Sequence, residues 1–219
     1  MFKMIADNRN RKSLASALRR KRTAFFESLI APLEKPVRIL DVGGTEQFWK
    51  MMEAPGKADL FITLLNLEKV DTSLTNCGSL AGDARSLDFT DRSFDVVFSN
   101  SVIEHVGDFS DQARMAKEVR RVGRRYFVQT PNKYFPIEPH FLFPFFQFLP
   151  LKLRVWLLMN FRLGWFARTP DKAKARQIVE GIRLLGGTEF QLLFPDAEIY
   201  EEKFLGLTKS FVAYGGWEK

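Results

Sequence analysis

Short apolar, strand-like runs alternate with helical segments along the first two-thirds of the chain, and this alternation limits the possible folds more than any other feature. "VRILD" (Val37–Asp41), "LFITLL" (Leu60–Leu65), "SLAGDA" (Ser79–Ala84), "DVVFSN" (Asp95–Asn100) and "RYFVQT" (Arg125–Thr130) read as five strands. Continuous rather than alternating apolar residues suit strands covered on both faces. Between them, Thr45–Met52 opens a helix, and Asp108–Gly123 is a second, with Asp108 as N-cap and Gly123 as stop. Strand–helix–strand repetition predicts an α/β, doubly wound, mostly parallel sheet. Near the C-terminus, Ala197–Phe204 and Lys209–Gly215 are close enough to pair as a hairpin. They bring the sheet to seven strands with an antiparallel edge strand.

Residues 131–187 are too long for a plain crossover, so a helical insertion after strand five is expected. It is rich in aromatics. Phe135, Phe141, Phe143, Phe145, Phe146, Phe148, Phe161 and Phe166 fall between positions 134 and 168, joined by Trp156 and Trp165 and interleaved with Lys152, Arg154, Arg162 and Arg168. Aromatics with cations suit a water–lipid boundary or a lid over an apolar acceptor. A small core for the insertion itself explains them equally well. The most apolar stretch, Pro139–Leu151, has 13 residues, whereas a membrane-spanning helix needs about 20. No spanning helix is expected, and no secretory leader, because residues 1–12 turn polar early. The single cysteine, Cys77, excludes an intrachain disulfide and fits a reducing, cytoplasmic setting.

The net charge of +7 is local: residues 1–38 carry ten Lys/Arg against three Asp/Glu, and the remainder carries 23 of each. Arg9, Arg11, Lys12 and Arg19–Arg22 form the basic centre of residues 1–36, within which a helix is expected from Ser13 to Ala31, packed on the main domain of residues 37–219. Leu14, Leu18, Phe25 and Leu29 share one side of it. The basic residues then form its solvated face, or a patch for anionic lipid at the inner membrane face or for nucleic acid. With the rest of the chain neutral, there is no continuous basic track for nucleic acid.

In a doubly wound sheet, ligands bind at the carboxyl ends of the strands, and the first strand–helix turn lies there. Gly43 and Gly44 follow the first strand and let backbone approach a ligand. The dinucleotide fingerprint with its third glycine is absent, since Thr45, Glu46 and Gln47 follow. This argues against a nicotinamide-dependent oxidoreductase. A phosphate at this helix start would meet Glu46. A cationic nucleoside without phosphates would suit Asp41 and Glu46.

"VRILDVGGT" followed by "GDARSLDFTDRSFDVVFSNSVIEHV" resembles the class I S-adenosylmethionine-dependent methyltransferases, in particular the small-molecule branch called methyltransferase type 11. The resemblance runs from Val37 to Asn132 and resumes in the closing strands. It implies a Rossmann-like fold, S-adenosyl-L-methionine as cofactor and S-adenosyl-L-homocysteine as product. It places Asp41, Gly43 and Gly44 at the methionine moiety, Asp83 and Ala84 at the adenine, and Ser99 and Asn100 beside the transferred methyl. Glu104 and His105 stand at the rim of that pocket. The second strand ends in Asn66 where the family has an acid for the ribose hydroxyls. Asn66 holds that position here, or Glu68 reaches in. Asp83 could equally form an Asx-turn.

Methyl transfer from a sulfonium is an in-line displacement in which the protein mainly aligns the reactants and excludes water. A hydroxyl acceptor needs a base. His140, just after strand five, is the first candidate for base or substrate contact, and His105 is the second or a framing residue. Tyr134 and Glu138 are further substrate candidates. No metal ligands are assigned. Strand four lacks the Asn/Asp-Pro-Pro-aromatic signature of relatives that methylate planar nitrogens. That absence argues against that subset only; the aromatic density beside the inferred methyl site leads to an expected methylation of a small or amphipathic, even lipid-linked, acceptor, with peripheral membrane contact through residues 134–168 and the basic N-terminus.

Overall fold

The computed structural model describes residues 14–52 and 59–217. Arg9, Arg11, Lys12 and the start of the expected first helix at Ser13 lie outside them. The elements in chain order are α1 (Leu14–Ile30), β1 (Val37–Val42), α2 (Glu46–Met51), β2 (Leu60–Asn66), β3 (Cys77–Ala81), β4 (Phe94–Asn100), α3 (Phe109–Val122), β5 (Gly123–Pro131), β6 (Ile137–Glu138), β7 (Phe143–Pro144), α4 (Leu151–Asn160), α5 (Lys172–Glu180), α6 (Gly187–Leu193), β8 (Glu198–Phe204) and β9 (Leu207–Gly215).

Seven strands form one sheet in the order β3-β2-β1-β4-β5-β9-β8. The first five are parallel, β9 runs antiparallel to β5, and β8 closes the edge antiparallel to β9. The order reverses between β1 and β4, where Val42 lies opposite Ser99. The third strand is displaced from its expected span. It covers Cys77–Ala81, and Gly82–Ala84 belong to the turn beyond it, because Asp83 folds back on Arg85 and Ser86 instead of continuing the ladder. Asp108 caps α3 by accepting the Asp111 N–H at 2.9 Å, and Gly123 ends that helix.

Both faces of the sheet are covered, which explains the unbroken apolar runs. On one face, α3 and α6 bury Met115, Val119 and Phe190 over Leu40, Val97 and Val128. On the other, α1 and α2 cover Ile39, Phe98 and Phe127. The buried stripe of α1 is rotated from its expected position. Phe26 and Ile30 are buried and Phe25 and Leu29 only partly so, because Phe26 fills the space above Phe98 and Phe127, with ring centroids 4.7 and 5.1 Å away. The rotation also carries Arg22, expected on a solvated face, into the interior. It pairs with buried Glu202 of β8 at 2.6 Å, and Glu202 is further held by the Ser210 hydroxyl.

The insertion between β5 and α6 is mixed rather than purely helical: the β6–β7 hairpin and a 3-10 turn precede α4 and α5. It has its own apolar centre, in which Phe141, Phe146, Leu158 and Val179 are buried. Phe145, Phe148, Trp156 and Phe161 stand about half exposed on its surface, at 55, 49, 51 and 50%. The aromatic richness therefore divides between internal packing and an outward face. No helix among the described residues is long and apolar enough to cross a membrane.

Candidate active site

At the carboxyl end of β1 the chain turns sharply through Gly43, whose φ is +75° and whose N–H donates to the Leu65 carbonyl at 2.7 Å. A Cβ on Gly44 would lie 2.0 Å from Asp41 Oδ2, so only glycine fits beside that carboxylate. Asp41 is buried and accepts the Trp49 indole N–H at 2.7 Å. Burial pushes its pKa up to about 8, with the Trp49 bond acting in the opposite direction. Glu46, expected to attract a cation, is engaged elsewhere. It accepts the backbone and hydroxyl hydrogens of Ser73 at 2.7 and 2.6 Å and pairs with Lys50 at 3.1 Å. These contacts, Ser73 foremost, hold its pKa down at about 2.

A cavity of about 770 Å³ opens from this turn, a size that suits a small-molecule site. Gly43, Gly44 and Asn100 form its base, α1 contributes Arg19 and Arg22, and the insertion contributes Phe135, His140 and Trp165. Lys209 of β9 lies on the same wall. Burial lowers the pKa of Arg19, with the charge of Arg22 adding to it, and burial lowers that of Lys209 against the opposing pull of Glu202. Arg19 Nε and Asn100 Oδ1 are buried and have no hydrogen-bond partner among the described residues.

The remaining expected residues divide. Ser99 does not line the cavity; it is buried and its hydroxyl donates to the Val42 carbonyl at 3.1 Å, tying β4 to β1. Its place is taken by Ser101, which lines the cavity, has φ +57° and donates to Gln129 Oε1 at 2.8 Å. Asn66 donates its amide to the Gly44 carbonyl at 3.0 Å and so braces the turn, while Glu68 points to solvent. Asp83 sits past the end of β3, outside the cavity. Its Oδ1 accepts the Arg85 N–H at 2.9 Å, the Asx-turn arrangement, and the Arg85 guanidinium grips both oxygens. That grip lowers its pKa. Ala84 packs against the core. Tyr134 is exposed and stacks on Phe148, away from the cavity.

Both histidines converge on one place: their rings stand 4.9 Å apart at 88°. Glu138, expected to meet substrate, is buried instead and holds His140. It accepts from the His140 and Phe141 backbones at 2.7 and 2.6 Å and meets His140 Nδ1 at 2.7 Å. Burial alone would lower the His140 pKa, but the Glu138 contact outweighs it and the net direction is up. Burial, followed by the charge of His140, pushes His105 down to about 4. Glu104 is buried, accepts from the Thr130 hydroxyl at 3.0 Å, and is pushed up to about 7 by burial.

Residues 40–126 match a family described as a methyltransferase domain. The sheet with its flanking helices superposes on a SAM-dependent methyltransferase from Methanosarcina mazei with a TM-score of 0.53, at 18% identity, over 87% of this chain and 95% of that one. A SAM-dependent methyltransferase from Aquifex aeolicus gives 0.50 at 11% identity, over 87% and 86%. The central part of the chain thus matches a methyltransferase-domain model, and the sheet has the fold of SAM-dependent methyltransferases. Within curated sequences, the chain is 42% identical over 67 residues to an uncharacterized protein of Mycobacterium tuberculosis, covering 30% of this chain and 22% of that protein. The match thus spans about a fifth of that relative's length.

The cavity-lining residues that the sequence reading did not assign to the site are Arg19, Arg22, Ser101, Gln129 and Lys209. Ser101 was within reach, one step past the expected strand end. Arg22 and Lys209 were not, because their placement depends on packing between α1 and β8–β9, far apart in the chain.

Proposed function

We propose that this chain transfers a methyl group from S-adenosyl-L-methionine to an amphipathic acceptor with an apolar body and an anionic or strongly polar end. The observation that carries this reading is the composition of the cavity: one continuous space joins the glycine turn to aromatic walls and to Arg19 and Lys209. The residues fit the cofactor. The backbone at Gly44 is open where a side chain would collide with Asp41, and Asn100 Oδ1 is a buried acceptor awaiting a donor. Gly43 and Gly44 would take the methionine part; Asn66 would reach the ribose, and Asp83 the adenine, only on giving up their present bonds to Gly44 and Arg85.

When bound, the cofactor supplies an electrophilic methyl on a cationic sulfur. The protein's task is alignment and exclusion of water. Phe135 and Trp165 exclude water from the acceptor side, and Arg19 and Lys209 orient an anionic end. His140, with Nδ1 held by Glu138, turns its other ring nitrogen to a hydroxyl acceptor. The outward aromatics of the insertion, with Lys152 and Arg154 nearby in sequence, support contact with a lipid surface that presents such an acceptor.

Calorimetric titration with S-adenosyl-L-homocysteine is expected to give one site per chain, with no heat from NAD under the same conditions. Absence of binding at millimolar nucleoside would overturn the cofactor assignment. Transfer of a radiolabelled methyl group into an aqueous metabolite pool, with none into lipid extract, would overturn the amphipathic acceptor.

A further inference from the structure

We infer that Glu104, His105 and His140 form a binding site for a divalent first-row transition-metal ion at the wall of the cavity. One potential ligand atom from each residue lies within 4.8 Å of the other two. In a tetrahedral site with bonds of about 2.1 Å, ligand atoms stand about 3.4 Å apart, so a side-chain adjustment of about an ångström completes the grouping. Two elements deliver the ligands: Glu104 and His105 come from the 3-10 turn Ile103–His105 after β4, and His140 from the tip of the β6–β7 hairpin.

The second observation is the state of Glu104. It is fully buried, Oε2 accepts from Thr130, and Oε1 has no hydrogen-bond partner among the described residues. A buried carboxylate oxygen left without a partner is costly. A cation bound there by the two neighbouring imidazoles satisfies it. The surroundings are also those of a prepared ligand set. Glu138 meets His140 Nδ1 at 2.7 Å, which makes Nδ1 the proton carrier and leaves the Nε2 lone pair for a metal. Carboxylate–histidine pairs hold ligating imidazoles in this way at known metal sites.

Two imidazoles and one carboxylate favour manganese, iron, cobalt, nickel or zinc over calcium or magnesium, which prefer all-oxygen sites. Three protein ligands leave at least one position open. His140 lines the cavity, so that position faces the acceptor chamber, where water or an oxygen donor of the acceptor can fill it. With an ion present, His140 is a ligand and no longer a base.

The inference stands apart from the methyl-transfer reading, because its test uses metal alone. The full chain, stripped with chelator, is titrated with cobalt(II) and followed by visible absorption. One equivalent is expected to give d–d bands, which disappear in His105→Ala and in His140→Ala. Glu138→Gln keeps the three ligands and is expected to weaken binding about 10- to 100-fold. Because these variants disturb packing around the buried Glu104, the wild-type complex is also examined by X-ray absorption at the cobalt edge. Two imidazole scatterers with oxygen at about 2.0–2.2 Å are expected. No bands at millimolar cobalt, or an all-oxygen shell, overturns the site.

Discussion

The half of the cavity around the glycine turn is made by residues that sit on or directly beyond the strands carrying them, whereas the opposite half is assembled from α1, the insertion and β9. Asp41, Gly43, Gly44 and Asn100 lie at or just past the carboxyl ends of β1 and β4, and parallel pairing alone brings those ends together. Arg19, His140, Trp165 and Lys209 meet only because three separate pieces of chain pack around the sheet edge. The first half is fixed by the fold that many methyltransferases share. The second is built from residues outside the family match at 40–126, and on the proposed reading it is where the acceptor is recognised.

If the halves are separable, damage to the insertion should leave the cofactor side intact. Leu158 is fully buried in the insertion's own apolar centre. Leu158→Ala is expected to destabilise that centre by about 2–5 kcal/mol, seen as an earlier urea transition in near-ultraviolet circular dichroism. Affinity for S-adenosyl-L-homocysteine should stay within about twofold, since nothing in the glycine turn contacts this centre. A parallel loss of nucleoside affinity would show that the two halves fold as one unit and would break the comparison.

The next largest effect concerns the glycine-turn half alone. Burial pushes the Asp41 carboxyl from its ordinary 3.8 up to about 8. Its folded pKa is raised, so its contribution to stability is fully present below about pH 4 and is lost as pH rises through about 8. The slope in that window is at most about 1.4 kcal/mol per pH unit. Asp41→Asn is expected to flatten this dependence, measured as urea midpoints from pH 5 to 8. A cationic nucleoside beside Asp41 favours the carboxylate, so wild-type affinity should rise with pH toward 8 and release a proton on binding. The variant should show neither. Equal slopes in both proteins would remove Asp41 from the site's electrostatics.

The division between the halves is also the division between what sequence made legible and what it hid. Features set by neighbouring residues were readable: the turn after β1, the Asp108 cap and the strand alternation each depend on a few adjacent positions. Ser99 was misassigned because alternation along β4 decides which side chain faces the cavity, and a one-residue shift changes the face. Asn66 ends β2 as expected, whereas Asp83, expected inside the third strand, lies in the turn beyond it, and their local bonds to Gly44 and Arg85 depend on turn geometry that sequence does not specify. The Arg22–Glu202 pair spans most of the chain, and the meeting of His105 with His140 depends on where the β6–β7 hairpin docks. No local pattern encodes either. The aromatic run between residues 134 and 168 identified the insertion without showing which rings face inward.

On the acceptor side, Arg19→Gln is expected to raise the KM for an anionic acceptor about tenfold, the loss of roughly one charged hydrogen bond. The kcat and the nucleoside affinity should change little. Arg19 Nε is buried and without a partner among the described residues, so its removal leaves no protein group unsatisfied. An equal fall in nucleoside affinity would place Arg19 with the cofactor rather than the acceptor, moving the boundary between the halves toward α1.

The smallest stability change should come from the outward face of the insertion. Trp156 and Phe161 are about half exposed, and their rings contact each other 5.8 Å apart. Replacing both with alanine removes little buried area, so the stability change should be within about 0.5 kcal/mol. Partition of the chain onto anionic vesicles, measured by flotation at low salt, should nevertheless fall several-fold. Aromatic rings at a lipid boundary lose their apolar contact when truncated, whereas Lys152 and Arg154 alone provide only screened attraction. The same variant at high salt separates the two contributions: if the rings anchor the chain, wild-type binding persists in part as salt rises and the variant's does not. Identical flotation of the two proteins at both salt levels would mean that the exposed rings serve the insertion's own surface packing, leaving the acceptor to reach the cavity from water.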